Sequence, residues 1–158
     1  HRLKQFVVDC VEQEKKLLGI CFGHQLIAHA LGGCVQKSDK GWGIGLISSD
    51  VTHTAHWIMP KQQQVNLLVF HQDQVTRLPP KASLVASNDF CPIASYHVDG
   101  SILTFQGHPE FNHGYLQYLM TKRRDIIGEQ AYQQGMESLQ QDEDNELVAK
   151  WIVNFIRG

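Results

Sequence analysis

Apolar and polar positions in the first part of the chain alternate between helical and strand-like spacing. Apolar side chains at positions 3, 6, 7, 10 and 11 share one face of a 3.6-residue period, which predicts a helix. The segment 16–20 predicts a buried strand, and 23–31 predicts a second helix that stops at Gly32 and Gly33. A strand that turns tightly into a helix is typical of α/β proteins.

The middle of the chain predicts strands, and its end predicts helices. Strands are expected at 44–48, 65–70, 83–87, 93–98 and 102–106. Asp99-Gly100, between the last two strands, is a hairpin signal because Asp-Gly adopts a turn that matches the twist of the strands. Leu147 and Trp151 begin a C-terminal run at helical spacing. We therefore expect a single α/β domain over residues 1–158.

Composition and charge exclude several classes of function. The net charge of −2 gives no electrostatic reason to expect binding to nucleic acid or to an anionic membrane. No apolar stretch approaches the ~20 residues that span a bilayer. The four cysteines form no Cys-x-x-Cys pair, so neither a zinc ribbon nor a disulfide framework is predicted. This cysteine usage favours a reducing, cytoplasmic location.

One cysteine lies in a pattern that suggests a nucleophile. Residues 19–25 read Gly-Ile-Cys-Phe-Gly-His-Gln and follow the apolar strand directly. Cys21, between Gly19 and Gly23, thus falls at the turn into the next helix. Such a turn lifts a reactive side chain above the edge of a sheet. The alternative for Cys21 is a buried structural cysteine.

A second motif supplies the partners that a nucleophilic cysteine needs. Residues 107–110 read Gly-His-Pro-Glu and follow the predicted strand 102–106. His108 is a candidate base, and Glu110 is a candidate carboxylate that orients it. Nucleophile, base and orienting acid are the three roles of a catalytic triad. The alternative for His108 and Glu110 is a surface or capping role.

Together, the two motifs resemble those of class I glutamine amidotransferases. Within that family, the sub-pattern Cys-Phe-Gly-His-Gln is similar to that of stand-alone members, which resemble the glutaminase domain of GMP synthase. The resemblance covers about residues 1–118. It implies a flavodoxin-like α/β fold with a central, mostly parallel sheet, helices on both faces and a helical C-terminus. It also implies that strands which precede the first helix in the family are missing from this chain.

The resemblance implies an acyl-transfer reaction on glutamine. Cys21 would attack the side-chain amide, release ammonia and form a thioester that water hydrolyses to glutamate. The backbone N–H of Phe22 would stabilise the oxyanion. In the family, a second donor comes from a glycine-rich loop nearer the N-terminus, and no such loop precedes Leu17 in residues 1–158. We therefore expect residues 1–158 alone to be a poor glutaminase. The ammonia would pass to a synthase or another acceptor.

Four further residues match the family's substrate contacts. The resemblance implies that Gln25 and Gly23 lie against the substrate glutamine. Segment 70–75, which contains His71 and Asp73, resembles a loop that touches the amino-acid end of glutamine. Asp73 would face the ammonium group. A helix-surface glutamine is the alternative for Gln25, and a polar loop residue is the alternative for His71.

Two other functions use the same residues or the same fold. A γ-glutamyl peptide hydrolase would apply the triad to an equivalent carbonyl, and a regulatory module would keep the fold without catalysis. No metal or organic cofactor is implied for the release of ammonia from glutamine. His53 and His56 have no third ligand at metal spacing, so no metal is expected.

Overall fold

The computed structural model describes residues 2–158, which form six helices and eight strands. The helices are α1 (Arg2–Glu12), α2 (Phe22–Ala30), α3 (His113–Lys122), α4 (Arg124–Ile127), α5 (Glu129–Ser138) and α6 (Asn145–Arg157). The strands are β1 (Leu17–Ile20), β2 (Cys34–Lys37), β3 (Gly43–Val51), β4 (Gln64–His71), β5 (Asp73–Arg77), β6 (Ala82–Ser87), β7 (Ser95–Val98) and β8 (Ile102–Phe105).

Six strands form one sheet in the order β1-β8-β7-β6-β3-β4, and β2 pairs with β5 in a second, smaller sheet. The expected α/β class is confirmed, but the expectation of a mostly parallel sheet is wrong for residues 2–158. Among these residues only β1 and β8 pair in parallel. Short connections such as the Asp99-Gly100 turn join successive strands, and a short turn permits only antiparallel pairing.

Helices cover both faces of the six-stranded sheet, as expected. α1 and α2 pack on one face, where Ile27 lies in a buried cluster with Tyr96 and Ile102. α6 packs on the other face through Trp151, in a cluster that includes Leu103. Ile102 and Leu103 are neighbours on β8 and join different clusters because successive side chains of a strand point to opposite faces.

The sheet curls so that the end of β8 returns to β4. The backbone N–H of His108 donates to the Leu68 carbonyl at 2.8 Å. Gly107 makes this approach possible, since a Cβ at that position would lie 2.7 Å from Cβ of Leu67. The curl therefore fixes the segment after β8 on two strands at once.

The turn from β1 into α2 contains a strained residue. Cys21 has φ 48° and ψ −101°, a region that glycine dominates because a Cβ is crowded there. Its N–H donates to the Phe105 carbonyl at 2.8 Å, and its own carbonyl accepts from Gln25 N–H at 3.1 Å. These two hydrogen bonds hold the strained conformation between the strand and the helix.

The two glycines that flank Cys21 differ in what surrounds them. A Cβ on Gly19 would lie 2.6 Å from Cδ1 of Ile27 and 2.9 Å from the Gly23 carbonyl carbon. A Cβ on Gly23 would have no heavy atom within 4 Å among those the structure describes. Gly19 therefore permits close packing of α2 on β1, whereas Gly23 has room for a larger side chain.

We predict that Gly19→Ala lowers the free energy of unfolding by about 1–3 kcal/mol, because an added methyl overpacks this contact. The matched Gly23→Ala variant should lose nothing, since alanine is favoured over glycine inside a helix by about 1 kcal/mol. Urea unfolding of both variants measures the difference. Equal stability of the two would contradict the packing described for Gly19.

We also predict that Cys21→Gly is more stable than Cys21→Ala. Both variants remove the thiol, but only glycine adopts the observed φ and ψ without strain, and such strain costs about 1–3 kcal/mol. Urea midpoints of the two variants measure the difference. A Cys21→Ala protein as stable as Cys21→Gly would show that the turn carries no strain.

Candidate active site

The parallel pair of β1 and β8 brings the two sequence motifs to one edge of the sheet. Ile20 and Phe105 are the last partners in register, so Cys21 lies next to Gln106 just beyond the strand ends. The side-chain amide of Gln106 donates to Sγ of Cys21 at 3.6 Å. Open α/β sheets collect their functional groups beyond the carboxyl ends of strands, and this edge is such a place.

His108 and Glu110 form a tight pair beyond β8. Nδ1 of His108 lies 2.6 Å from Oε1 of Glu110. The His108 side chain is mostly buried, with 13% of its surface exposed, while that of Glu110 is 53% exposed. On its face, the imidazole stacks on the Phe111 ring with centroids 3.8 Å apart and planes 7° apart. The ring is therefore held both at its edge and on its face.

Opposing influences act on the sulfur of Cys21. Burial raises the pKa of the thiol, and the negative charge of Glu110 raises it further. The backbone N–H of Phe22 and the amide of Gln106 both donate toward the sulfur and lower that pKa. The net effect is a raised pKa, so Cys21 is a thiol at neutral pH and needs a base to react.

The backbone N–H and the side chain of Phe22 lie in different surroundings. Its backbone N–H points at the Cys21 sulfur from the first turn of α2, which is where a donor to a developing oxyanion would lie. Its side chain is 64% exposed. The oxyanion role of Phe22 stays a prediction, with a suitable position for the N–H.

Gln25, His71 and Asp73 converge on one another rather than on open space. Nε2 of Gln25 donates to the Asp73 carbonyl at 2.7 Å and to Oε1 of Gln106 at 3.1 Å. Nδ1 of His71 lies 3.0 Å from the same carbonyl and carries the hydrogen, because a carbonyl can only accept. Segment 70–75, which the sequence analysis expected to be a loop, consists of the end of β4 and the start of β5.

The residues expected to contact substrate differ in how accessible they are. His71 is buried, and burial lowers its pKa to about 4, so its ring is neutral near pH 7. The Asp73 side chain is exposed, Gln25 is half-buried, and Gly23 lies beside open space. Substrate contact by these four residues stays a prediction, and Asp73 and Gly23 are the better placed for it.

Two residues of the site carry no signal in the sequence motifs. Gln106 touches the sulfur and Phe111 stacks on the imidazole, yet neither belongs to a motif that suggests chemistry. The parallel register could have found Gln106, because it is the first residue after β8 just as Cys21 is the first after β1. No pattern in the sequence marks Phe111.

The described part of the chain contains neither a metal cluster nor a membrane-spanning helix. Across residues 2–158, no three His, Cys, Asp or Glu side chains lie close enough to hold a metal ion. No helix within the same residues is both long enough and apolar enough to cross a bilayer.

Comparisons with known proteins agree with this fold. A glutamine amidotransferase from Thermotoga maritima superposes with a TM-score of 0.82 at 18% identity, over 98% of this chain and 68% of that one. At this identity the likeness shows the fold alone, and it confirms the one expected from the sequence.

Two of the sequence relatives are named for different reactions. Gamma-glutamyl peptidase 2 of Arabidopsis thaliana is 31% identical over 153 residues, or 92% of this chain and 61% of that protein. A glutamine-hydrolyzing GMP synthase subunit of Pyrococcus furiosus is 37% identical over 98 residues, or 61% of this chain and 52% of that protein. This chain therefore spans about three fifths of the plant relative's length.

The family description "Glutamine amidotransferase class-I" matches residues 3–124, which is more than half of the chain. The same residues contain the strained cysteine turn, the parallel strand pair and the His108–Glu110 pair. The chain belongs to the class I glutamine amidotransferase family.

Proposed function

We propose that this protein hydrolyses the side-chain amide of glutamine through a thioester on Cys21. His108 is the base and Glu110 orients it. One observation carries the proposal: the strained cysteine turn is bonded to the end of β8, and the segment that follows holds the His108–Glu110 pair at 2.6 Å. The family match supports hydrolytic chemistry of this kind.

The raised pKa of Cys21 means that its thiol must lose a proton during the reaction. His108 removes the proton from the Cys21 thiol as the sulfur attacks the amide carbon. The imidazolium then gives that proton to the departing nitrogen, so the carbon–nitrogen bond breaks and ammonia leaves. Water, deprotonated by His108, hydrolyses the thioester to glutamate and restores the thiol. The carboxylate of Glu110 stabilises the imidazolium in both halves of the reaction.

Substrate recognition in this proposal uses the exposed rim of the site. The oxyanion of each tetrahedral intermediate accepts from the Phe22 N–H, and a donor of this kind contributes roughly 10²–10³ in rate. The exposed carboxylate of Asp73 binds the α-ammonium group of glutamine. Gly23 leaves space for the substrate beside Cys21. Gln25 donates a hydrogen bond to Gln106 and, in this proposal, also contacts the substrate.

A γ-glutamyl peptide is the second candidate substrate. It has the same γ-glutamyl acyl group, so the same attack and thioester apply, with an amino acid rather than ammonia as leaving group. The name of the plant relative, gamma-glutamyl peptidase, favours it. With glutamine as substrate, the relative named for GMP synthase instead suggests an acceptor of ammonia on a partner synthase.

We predict that Cys21→Ala reduces glutamate release from glutamine to background in the native-length protein. Cys34→Ala, which removes a half-buried thiol on β2, should keep wild-type activity. Glu110→Gln should lower kcat/KM by roughly 10²–10⁴, because a neutral amide holds the imidazole but does not stabilise its charge. A Cys21→Ala protein that keeps its activity would refute the proposal.

We also predict that glutamine and a γ-glutamyl dipeptide compete for the same thiol. Under the proposal, glutamine has the higher kcat/KM, by at least about tenfold, which corresponds to about 1.4 kcal/mol of transition-state preference. Parallel assays of both substrates on wild-type and Cys21→Ala protein measure this. A preference for the dipeptide that also depends on Cys21 would replace the first candidate with the second.

A further inference from the structure

We propose that Gln106 is a further catalytic residue: its buried amide donates an N–H to the Cys21 sulfur, and Gln25 together with the Asp73 carbonyl fixes that amide's orientation. The inference extends the proposed function, since it assumes that Cys21 is the nucleophile. It gives one role to the hydrogen-bonded set of Gln106, Gln25 and the Asp73 carbonyl.

The position of Gln106 makes it a rigid donor. Its side chain is 1% exposed, and its backbone N–H donates to the Ala94 carbonyl at 2.8 Å. Its Nε2 lies 3.6 Å from Sγ of Cys21, a normal separation for an N–H···S contact. A buried amide with its backbone anchored has little freedom to turn away from the sulfur.

The direction of the hydrogen bonds follows from the Asp73 carbonyl at the far end. A carbonyl only accepts, so Gln25 must face it with Nε2 rather than Oε1. The same Nε2 reaches Gln106, which must therefore present its Oε1 to Gln25 and its Nε2 to Cys21. His71 donates to the same carbonyl and keeps it in place. The chain of bonds leaves one orientation for the Gln106 amide.

A donor at this position favours the thiolate over the thiol. An N–H that donates to an anionic sulfur makes a stronger hydrogen bond than one to a neutral thiol. The Phe22 N–H acts in the same sense, whereas burial and the charge of Glu110 act against it. Of the other titratable groups near this edge, His71 is neutral at pH 7, and His108 is the base itself. Gln106 thus lowers the barrier to proton removal from Cys21.

The test compares shape-matched variants of three buried or half-buried glutamines. Gln106→Met removes the donor at the sulfur, and Gln25→Met removes the residue that orients it. Gln74→Met is the control, because Gln74 is buried on β5 and its Oε1 has no hydrogen-bond partner among residues 2–158. Iodoacetamide alkylation of Cys21, resolved by peptide mass spectrometry across pH in the native-length protein, reports the thiolate fraction. Alkylation of Cys34 in the same samples is the internal reference.

We expect Gln106→Met to slow Cys21 alkylation about tenfold at pH 7 and to leave the rate on the alkaline plateau unchanged. That result is a shift of about one pH unit in the titration of the thiol. Gln25→Met should shift it in the same direction by a smaller, few-fold factor, and Gln74→Met should not shift it. Gln106→Met should also lower kcat for glutamine with little change in KM.

An unshifted Cys21 titration in Gln106→Met, in a protein with the urea midpoint of Gln74→Met, would overturn the inference. If Gln106→Met does not fold, an unshifted titration in Gln25→Met would overturn it instead. A shift in a protein without Cys21-dependent turnover would support the role of Gln106 at the thiolate while refuting the proposed function. Cys21-dependent turnover without any shift would refute the role of Gln106 alone.

Discussion

The parallel pairing of β1 with β8 is the constraint on which the site depends. It places Cys21 beside Gln106, which precedes His108 by two residues, and the hydrogen bond from Cys21 N–H to Phe105 O locks the register at the strand ends. The positive φ at Cys21 follows from it, because the chain must leave the sheet within one residue to start α2. Without this pair, the two motifs would remain distant in space as they are in sequence.

The sulfur of Cys21 is a compromise between protection and reactivity. Burial shields it and raises the pKa of the thiol, and the negative charge of Glu110 raises that pKa further. Two donors, the Phe22 N–H and the Gln106 amide, oppose this rise. Cys21 is therefore a thiol at neutral pH, and in the proposed mechanism it reacts only when His108 takes its proton.

Local patterns in the sequence were enough to predict the elements that carry the motifs. The β1–α2 turn, the Asp99-Gly100 hairpin and the C-terminal helix all appear where periodicity and turn residues indicate. The expectation of a mostly parallel sheet is wrong for residues 2–158, because it came from the family resemblance. The Asp99-Gly100 hairpin, predicted from the sequence itself, has the expected antiparallel pairing of β7 with β8. The strand that begins at Asp73 was missed, since it is short and follows β4 after a single residue. Gln106 was missed because its role depends on register, which no local pattern contains.

Detection of a γ-glutamyl thioester on Cys21 tests the central claim most directly. Native-length protein turning over glutamine is quenched in acid, digested, and mapped by mass spectrometry. We predict a γ-glutamyl adduct on the Cys21 peptide that disappears once glutamine is exhausted and never forms in Cys21→Ala. Steady glutamate release with Cys21 unmodified throughout, or with the adduct on another residue, would contradict this mechanism.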